Sequence, residues 1–343
     1  MNFTSVKCLL QSVIFGSYIL VKLFLNVCSN NFLLSAVFIW NDLEKILERE
    51  PELLKDFLRL VPGIKKPEVG AIAITIGPGL EPCLWMGINF ARALSYFWEI
   101  PLIPTNHIEG HIYANFMNRT ISKDIFPAIC LVVSGGHTQL ILMKNYSKYE
   151  ILGETRDDAA GECLDKVARI LGLEYPGGPI IEKLASQFKK HSFKKNYQIS
   201  LPRPMIYSKN YDFCFSGLKT AVLYDFRKRK PKTKKNKDYI SQMCSEAQQA
   251  IIDVLIHKSI KAIKDYRVET ILLGGGVTAN KELRKQIKKK VKRNFSSKTI
   301  WLPELQYCTD NAAMTAIASY FHYLKGEKKG WKNVRANSNL RLS

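Results

Sequence analysis

Ile129-Cys130-Leu131-Val132-Val133-Ser134-Gly135-Gly136 is an unbroken apolar run closed by a polar turn with two glycines. Such a run, bounded by a turn signal, predicts a strand buried on both faces, and Thr138 to Lys144 supplies its hairpin partner. The same grammar recurs outward from it. Ala71 to Ile76 is rich in β-formers, ends in Gly77-Pro78-Gly79 and precedes a predicted helix over 81–98. A short strand, Leu102-Ile103, leads into a histidine-bearing helix. Thr270 to Leu273 ends at Gly274-Gly275-Gly276, and a helix is predicted over 280–291. Further helices are predicted over 163–172, 182–190 and 239–266, and a last one starts near Asp310-Asn311. Asn41-Asp42-Leu43-Glu44 opens a helix toward Leu60, with Pro51 dividing it. Strands that alternate with helices and hand over to glycine turns define an α/β class. The recurrence of strand, glycine turn and helix fits a duplicated, two-lobed architecture.

The chain has 343 residues, 46% apolar and 24% charged, which suits two lobes with a core each. Its net charge of +21 is unusual and favours a polyanionic partner, nucleic acid ahead of an anionic membrane face. A lysine-rich genome gives a similar balance. Here, however, the cations cluster in 227–237 and 284–293. The eight cysteines are isolated, with no C-x-x-C pair. They exclude a zinc ribbon and read as small core residues of a reduced, cytoplasmic protein. Residues 1–40 form a separate, atypical segment. Cys8 to Val27 and Phe32 to Trp40 are apolar, but Lys22 interrupts the first run and no clean cleavage site follows. That segment reads as an anchor, a mistaken start or a degenerate piece of the first lobe.

His107-Ile108-Glu109-Gly110-His111 places two imidazoles one turn apart on one helix face, where both can reach a single divalent cation. It is not a zinc-protease motif. There the glutamate directly follows the first histidine, whereas Glu109 lies two residues on, turned roughly 200° around the helix. A peptidase reading therefore lacks its base. The three glycine turns can bring backbone amides against phosphate oxygens, although no P-loop lysine closes any of them. Asp157, Asp158, Glu162 and Asp165 make an acid-rich stretch. With a helix starting near Asp158, Glu162 and Asp165 share a face able to hold ribose hydroxyls or a cation. Tyr175-Pro176-Gly177-Gly178-Pro179 is a rigid turn. Phe213-Cys214-Phe215 is an apolar strand ahead of Ser216-Gly217, and Lys219 is either a phosphate contact or a surface lysine. Asp310 is either a helix N-cap or the carboxylate partner of the histidines.

As a set and in this order, the motifs H-I-E-G-H, L-V-V-S-G-G-H-T-Q-L, G-E-T-R-D-D-A-A-G-E-C-L-D-K-V-A, Y-P-G-G-P, F-C-F-S-G-L-K-T, L-G-G-G-V-T-A-N and C-T-D-N-A-A-M carry a family likeness. From about Asn41 onward the chain resembles the tRNA N6-adenosine threonylcarbamoyltransferases, the TsaD-type family once called O-sialoglycoprotein endopeptidases, in its bacterial and organellar branch. The resemblance implies a two-lobed, ribonuclease H-like fold of the actin/Hsp70/sugar-kinase kind. Residues 41–125 would then be the remainder of the first lobe and 126–304 the second, with 305–343 packing back toward the first. Members of the family open with a strand bearing I-E-T-S-C-D-E-T and two more strands. The apolar 1–40 stands in their place, so the first lobe is expected to lack its N-terminal strands.

The resemblance further implies an acyltransferase that joins threonylcarbamoyl-AMP to N6 of the adenosine beside the anticodon, in tRNAs reading codons that begin with A, and releases AMP. His107, His111 and Asp310 would hold one metal, Fe2+ in the family's usual description and Zn2+ as the alternative. Val132, Val133, Ser134, Gly135, Gly136, Asp165, Gly178 and Asn280 fall on the family's substrate positions, with Glu182 as an addition; no general base is assigned. The implied partners are tRNA and, in a bacterial setting, a small paralogous subunit (TsaB-like) and an ATPase subunit (TsaE-like). Two alternatives keep the fold: a non-catalytic paralogue and an ATP-dependent phosphotransferase. Retention of the full histidine and aspartate set speaks against the first, and the lack of an acid-bearing opening phosphate turn speaks against the second.

Overall fold

A computed structural model describes residues 68–119, 123–190 and 197–342. The apolar 1–40, the helix predicted over 41–60 and the question of the opening strands lie outside the described residues. The chain divides into two compact units, one of residues 1–120 with 310–343 and one of residues 121–309.

In the first unit β1 (Ile72–Gly77) and β2 (Leu102–Asn106) pair in parallel through α1 (Glu81–Trp98). Ile72 and Ile74 of β1 bury against Ile88, Ala91, Leu94 and Trp98, the apolar stripe of α1 at helical spacing. β2 runs directly into α2 (His107–Tyr113), whose start is fixed by Asn106: its side chain accepts from the Ile108 N–H at 2.8 Å. The last helix, α9 in chain order (Ala312–Leu324), packs on β1, β2 and α2. Thr75 and Thr315 share a 3.2 Å hydroxyl contact, Thr105 and Ser319 another, and Tyr113 stacks on Phe321 at 4.6 Å. The tail beyond α9 straps the end of β1: the Asn337 N–H donates to the Ile76 carbonyl at 2.8 Å and the Gly79 N–H to the Ser338 carbonyl at 3.2 Å. A Cβ on Gly77 would lie 1.9 Å from the Asn337 carbonyl oxygen. The glycine at that turn therefore admits the chain's own tail, which corrects its reading as an open phosphate turn.

The second unit is built on a five-stranded sheet ordered β5-β4-β3-β6-β7. β3 (Ala128–Val133) pairs antiparallel with β4 (Thr138–Asn145) and parallel with β6 (Thr270–Gly274); β6 pairs parallel with β7 (Thr299–Trp301). Every residue of β3 is buried, as an uninterrupted apolar run requires. β5 (Lys148–Glu154), with its alternating burial, extends the hairpin. The helices are α3 (Ala160–Ile170), α4 (Gly177–Lys190), α5 (Ser216–Lys228), the single turn α6 (Pro231–Lys234), α7 (Lys237–Tyr266) and α8 (Lys281–Asn294). α7 spans about 45 Å and buries Met243, Ala247, Ile251, Val254 and Leu255 in the core, among others. The stretch from Phe213 to Phe215, predicted as a strand, forms only an isolated bridge between Phe213 and Thr155. Both rings are nevertheless fully buried, each worth about 2–3 kcal/mol against exposure. Among the described residues no helix is long and apolar enough to cross a membrane.

Candidate metal centre and glycine-turn cluster

The first unit gathers His107, His111 and Asp310, and their ligand atoms all lie within 4.8 Å of one another. The Nε2 atoms of His107 and His111 stand 3.5 and 3.3 Å from the same oxygen, Oδ1 of Asp310. Bonds of about 2.1 Å at tetrahedral angles put neighbouring ligand atoms about 3.4 Å apart; three donors so spaced fit one cation. His111 adds a second indication. Its side chain is fully buried, yet neither ring nitrogen makes a hydrogen bond. The approach to Asp310 is within ion-pair reach but outside hydrogen-bond geometry. An imidazole sealed from water in this way requires another partner, and a divalent metal with two nitrogen donors and one oxygen donor supplies it.

Local structure explains how residues about two hundred positions apart meet. Gly110 lets α9 approach α2 closely: a Cβ there would lie 3.2 Å from Met314 Cγ. The N-cap of α9 is Asn311, whose side chain accepts from the Met314 N–H at 2.9 Å. Asp310 is therefore not the cap, and the choice left open by the sequence falls on the side of the histidines. Glu109, on the opposite face of α2, is buried and accepts from His322 of α9 at 2.6 Å, and the other His322 nitrogen meets Glu327 at 2.7 Å. These carboxylates hold the His322 imidazole above its ordinary pKa despite burial, which opposes the charge. The sequence reading turned Glu109 away from the metal and missed its partner. The available signal was the placement itself, since a carboxylate on a packed helix face requires a donor.

The second unit collects the remaining predicted residues at the carboxyl ends of β3 and β6. Val132 and Val133 are fully buried, so only their main chain can meet a ligand. Ser134 closes the turn by accepting from the His137 N–H at 3.0 Å, and Gly135 and Gly136 face open space. Two glycines elsewhere hold this turn. A Cβ on Gly161, at the start of α3, would meet the Ser134 carbonyl at 2.5 Å, and one on Gly275 (φ +90°) would meet the Val133 carbonyl at 2.3 Å. Asp165 of α3 accepts from the Gly177 N–H at 2.8 Å, so a side chain from one helix caps the next. One turn further along α4, beyond Gly178, Glu182 accepts from the Lys281 N–H at 2.9 Å. Asn280 caps α8 through the Leu283 N–H at 2.9 Å and donates to Gln248 at 2.8 Å. Asp165, Glu182 and Asn280 thus cap the starts of α4 and α8 by hydrogen bonds, with Gly178 in the first turn of α4.

The other acids have structural partners. Asp157 caps α5 through the Phe215 N–H at 2.8 Å, and its hydrogen bonds, Cys214 and Ser216 included, hold its carboxyl below the usual range against the opposing effect of burial. Asp158 binds Lys166 at 2.6 Å and Lys219 at 3.5 Å. Lys219 is therefore partnered within the protein. Glu162 accepts from the Ala159 N–H and pairs with Lys166 rather than sharing a ligand face with Asp165.

The fold and the two sites together define an α/β protein of the actin/Hsp70/sugar-kinase class with a candidate two-histidine, one-aspartate metal centre. Its fold is similar to that of the HypF of T.kodakarensis, at a TM-score of 0.53 and 16% identity, over 82% of this chain and 44% of that one. Residues 47–317 match TsaD, tRNA N6-adenosine threonylcarbamoyltransferase. The protein of that name from Syntrophomonas wolfei is 49% identical over 256 residues, 74% of this chain and 71% of its own. The one from Bacillus subtilis is 45% identical over 264 residues, 77% and 72% of the respective chains. The chain belongs to the tRNA N6-adenosine threonylcarbamoyltransferase family.

Proposed function

We propose that this protein transfers the threonylcarbamoyl group from threonylcarbamoyl-AMP to N6 of the adenosine beside the anticodon in tRNA, releasing AMP. The observation that carries this reading is the set His107, His111 and Asp310 in a chain at 49% identity to a relative of that name. A paralogue that only bound a partner would have no use for a buried imidazole whose nitrogens await a ligand. No observation favours the phosphotransferase.

The metal is read as Fe2+, with Zn2+ as the alternative, because two imidazoles and a carboxylate suit either and leave positions open. When bound, it supplies Lewis-acid polarisation of the acyl oxygen. The remaining work falls to the chain. The Ser134-Gly135-Gly136 turn offers amides to the phosphate of threonylcarbamoyl-AMP, and Asp165, Gly178, Glu182 and Asn280 orient the nucleotide. The mixed anhydride is already activated: the N6 amine attacks its acyl carbon, the bond to the phosphate oxygen breaks, AMP carries away the electron pair, and the proton lost by the amine passes to the departing phosphate. Positioning then matters more than a strong base. A small paralogous subunit and an ATPase subunit are the proposed partners, in keeping with the bacterial relatives.

The test is transfer to unmodified tRNA from supplied threonylcarbamoyl-AMP, with bacterial helper subunits present, read as modified adenosine by nucleoside mass spectrometry. Modification by the wild type and its loss in His107→Ala/His111→Ala is the expected result. Metal-loaded, folded wild type without modification would defeat the reading.

A further inference from the structure

Residues 227–237, Arg-Lys-Arg-Lys-Pro-Lys-Thr-Lys-Lys-Asn-Lys, carry eight cations and no acid. They form a knuckle between α5 and α7 that is ordered from both sides. At its base Arg229 makes paired bonds to Asp225 at 3.0 and 2.7 Å and reaches the Tyr197 carbonyl at 3.1 Å. The Tyr239 hydroxyl donates to the same Asp225 at 2.7 Å. The Thr233 and Lys234 N–H groups close the α6 turn on the Lys230 carbonyl, and Asn236 caps α7 through the Asp238 N–H at 2.8 Å. Lys234 lies 5.4 Å over the Phe226 ring. The other six cations, Arg227, Lys228, Lys230, Lys232, Lys235 and Lys237, are exposed, and Tyr224 is exposed on the same helix end.

A second stretch of the unit is equally basic, and the contrast is informative. α8 also holds eight cations among its fourteen residues. There all but Arg284, which donates to the Thr278 and Pro303 carbonyls, occupy the outer face of an amphipathic helix whose Leu283, Ile287 and Val291 are buried, the ordinary solvated arrangement. The knuckle has no such apolar stripe and buries little. Its lysines are held close together by caps and a half-buried ion pair, at a cost in mutual repulsion that a polyanion relieves.

We propose that the 227–237 knuckle is an RNA-docking surface that grips a phosphodiester backbone. The choice of RNA among polyanions rests on the transferase reading above; the charge argument does not. Phosphate contacts of this kind fix register and add affinity without reading sequence.

The test compares three full-length proteins: wild type, Lys230→Gln/Lys232→Gln/Lys235→Gln/Lys237→Gln, and a charge-matched Lys285→Gln/Lys288→Gln/Lys289→Gln/Lys292→Gln on α8. Affinity for an unmodified tRNA transcript is measured across a salt series. The knuckle variant should bind at least about tenfold more weakly near 0.15 M salt, with the log–log salt slope shallower by about 3, and the α8 variant should change far less. Equal losses in both variants, or none in the knuckle variant, overturn the proposal and leave the transferase reading intact. Wild type that does not bind tRNA overturns both. Knuckle-dependent binding to vesicles of anionic phospholipid, tighter than to tRNA, overturns it in favour of a membrane. On the unmutated chain, tRNA should protect lysines 230–237 from acetylation more than lysines 285–292; the reverse order also sinks it.

Discussion

The two candidate sites, one in each unit, are built from opposite materials. The candidate metal centre is made of side chains: two imidazoles on α2 and a carboxylate just ahead of α9, on elements that the Asn106 and Asn311 side-chain caps and a glycine contact hold in place. The glycine-turn cluster is made of backbone, and its defining residues matter for the side chains they lack. At Gly161 and Gly275 a single added carbon would meet a carbonyl oxygen at 2.5 or 2.3 Å. A side-chain site should lose chemistry when a ligand is removed while its scaffold stands. A backbone site should lose its scaffold when a methyl is added.

The largest effect expected from this contrast is on turnover. His107→Ala/His111→Ala should lower bound metal from about one per chain to near zero and reduce transfer at least about a hundredfold, with far-UV circular dichroism unchanged. Metal analysis and single-turnover assays check both parts. If the double variant instead unfolds, the centre is structural and the contrast fails.

Gly275→Ala comes next, and here stability should move first. The φ of +90° and the contact with the Val133 carbonyl make a loss of about 3 kcal/mol the expected outcome, seen as a lower urea midpoint with metal content preserved. A stable variant with normal substrate affinity would show that β3 and β6 can separate at that end without consequence.

Asp165→Ala probes the join between the two materials, a side chain serving a backbone. Removing the acceptor for the Gly177 N–H should cost about 1 kcal/mol. It should raise KM for threonylcarbamoyl-AMP severalfold more than it lowers kcat, because α4 is displaced rather than any reacting group. An effect confined to kcat would argue against a positioning role.

The smallest effect concerns the scaffold alone. Lys258 of α7 is buried and ties the 203–212 loop through Ser208 Oγ at 2.8 Å and the Asn210 carbonyl at 3.0 Å. Burial, with repulsion from Lys261, lowers its ammonium to about 8. Between that pH and the ordinary lysine range the unfolded chain binds a proton that the folded chain has released, so stability should rise as pH rises through this window. Urea midpoints at about pH 7 and 9.5 should show the rise in wild type and a flatter profile in Lys258→Met. A falling profile would mean that the charged lysine is stabilised in place.

Much of both units was legible in the chain, for a local reason. The apolar run of β3, the hairpin to β4, the helix starts near 280 and 310 and the glycine turns are signals that a few neighbouring residues emit. The bounds of α1 agree to the residue with the predicted 81–98. Where reading failed, a partner distant in sequence decided the outcome. Gly77-Pro78-Gly79 looked like an open anion turn until the tail from Asn337 to Ser338 covered it. Glu109 carried no sign of His322, and Glu162, read as a possible ligand, serves as a helix cap.

The sequence by itself determined the α/β alternation, the pairing of His107 with His111 on one helix face, the orientation of Glu109 away from them and the concentration of positive charge in 227–237. Each follows from helix or strand period, or from composition. Only the tertiary structure decided that Asp310 joins the histidines while Asn311 takes the cap, that Gly161 and Gly275 hold the Ser134 turn, and that Asp165 and Glu182 cap helices other than their own. Those outcomes depend on which atoms meet across long loops, and residue spacing along a chain does not encode such distances.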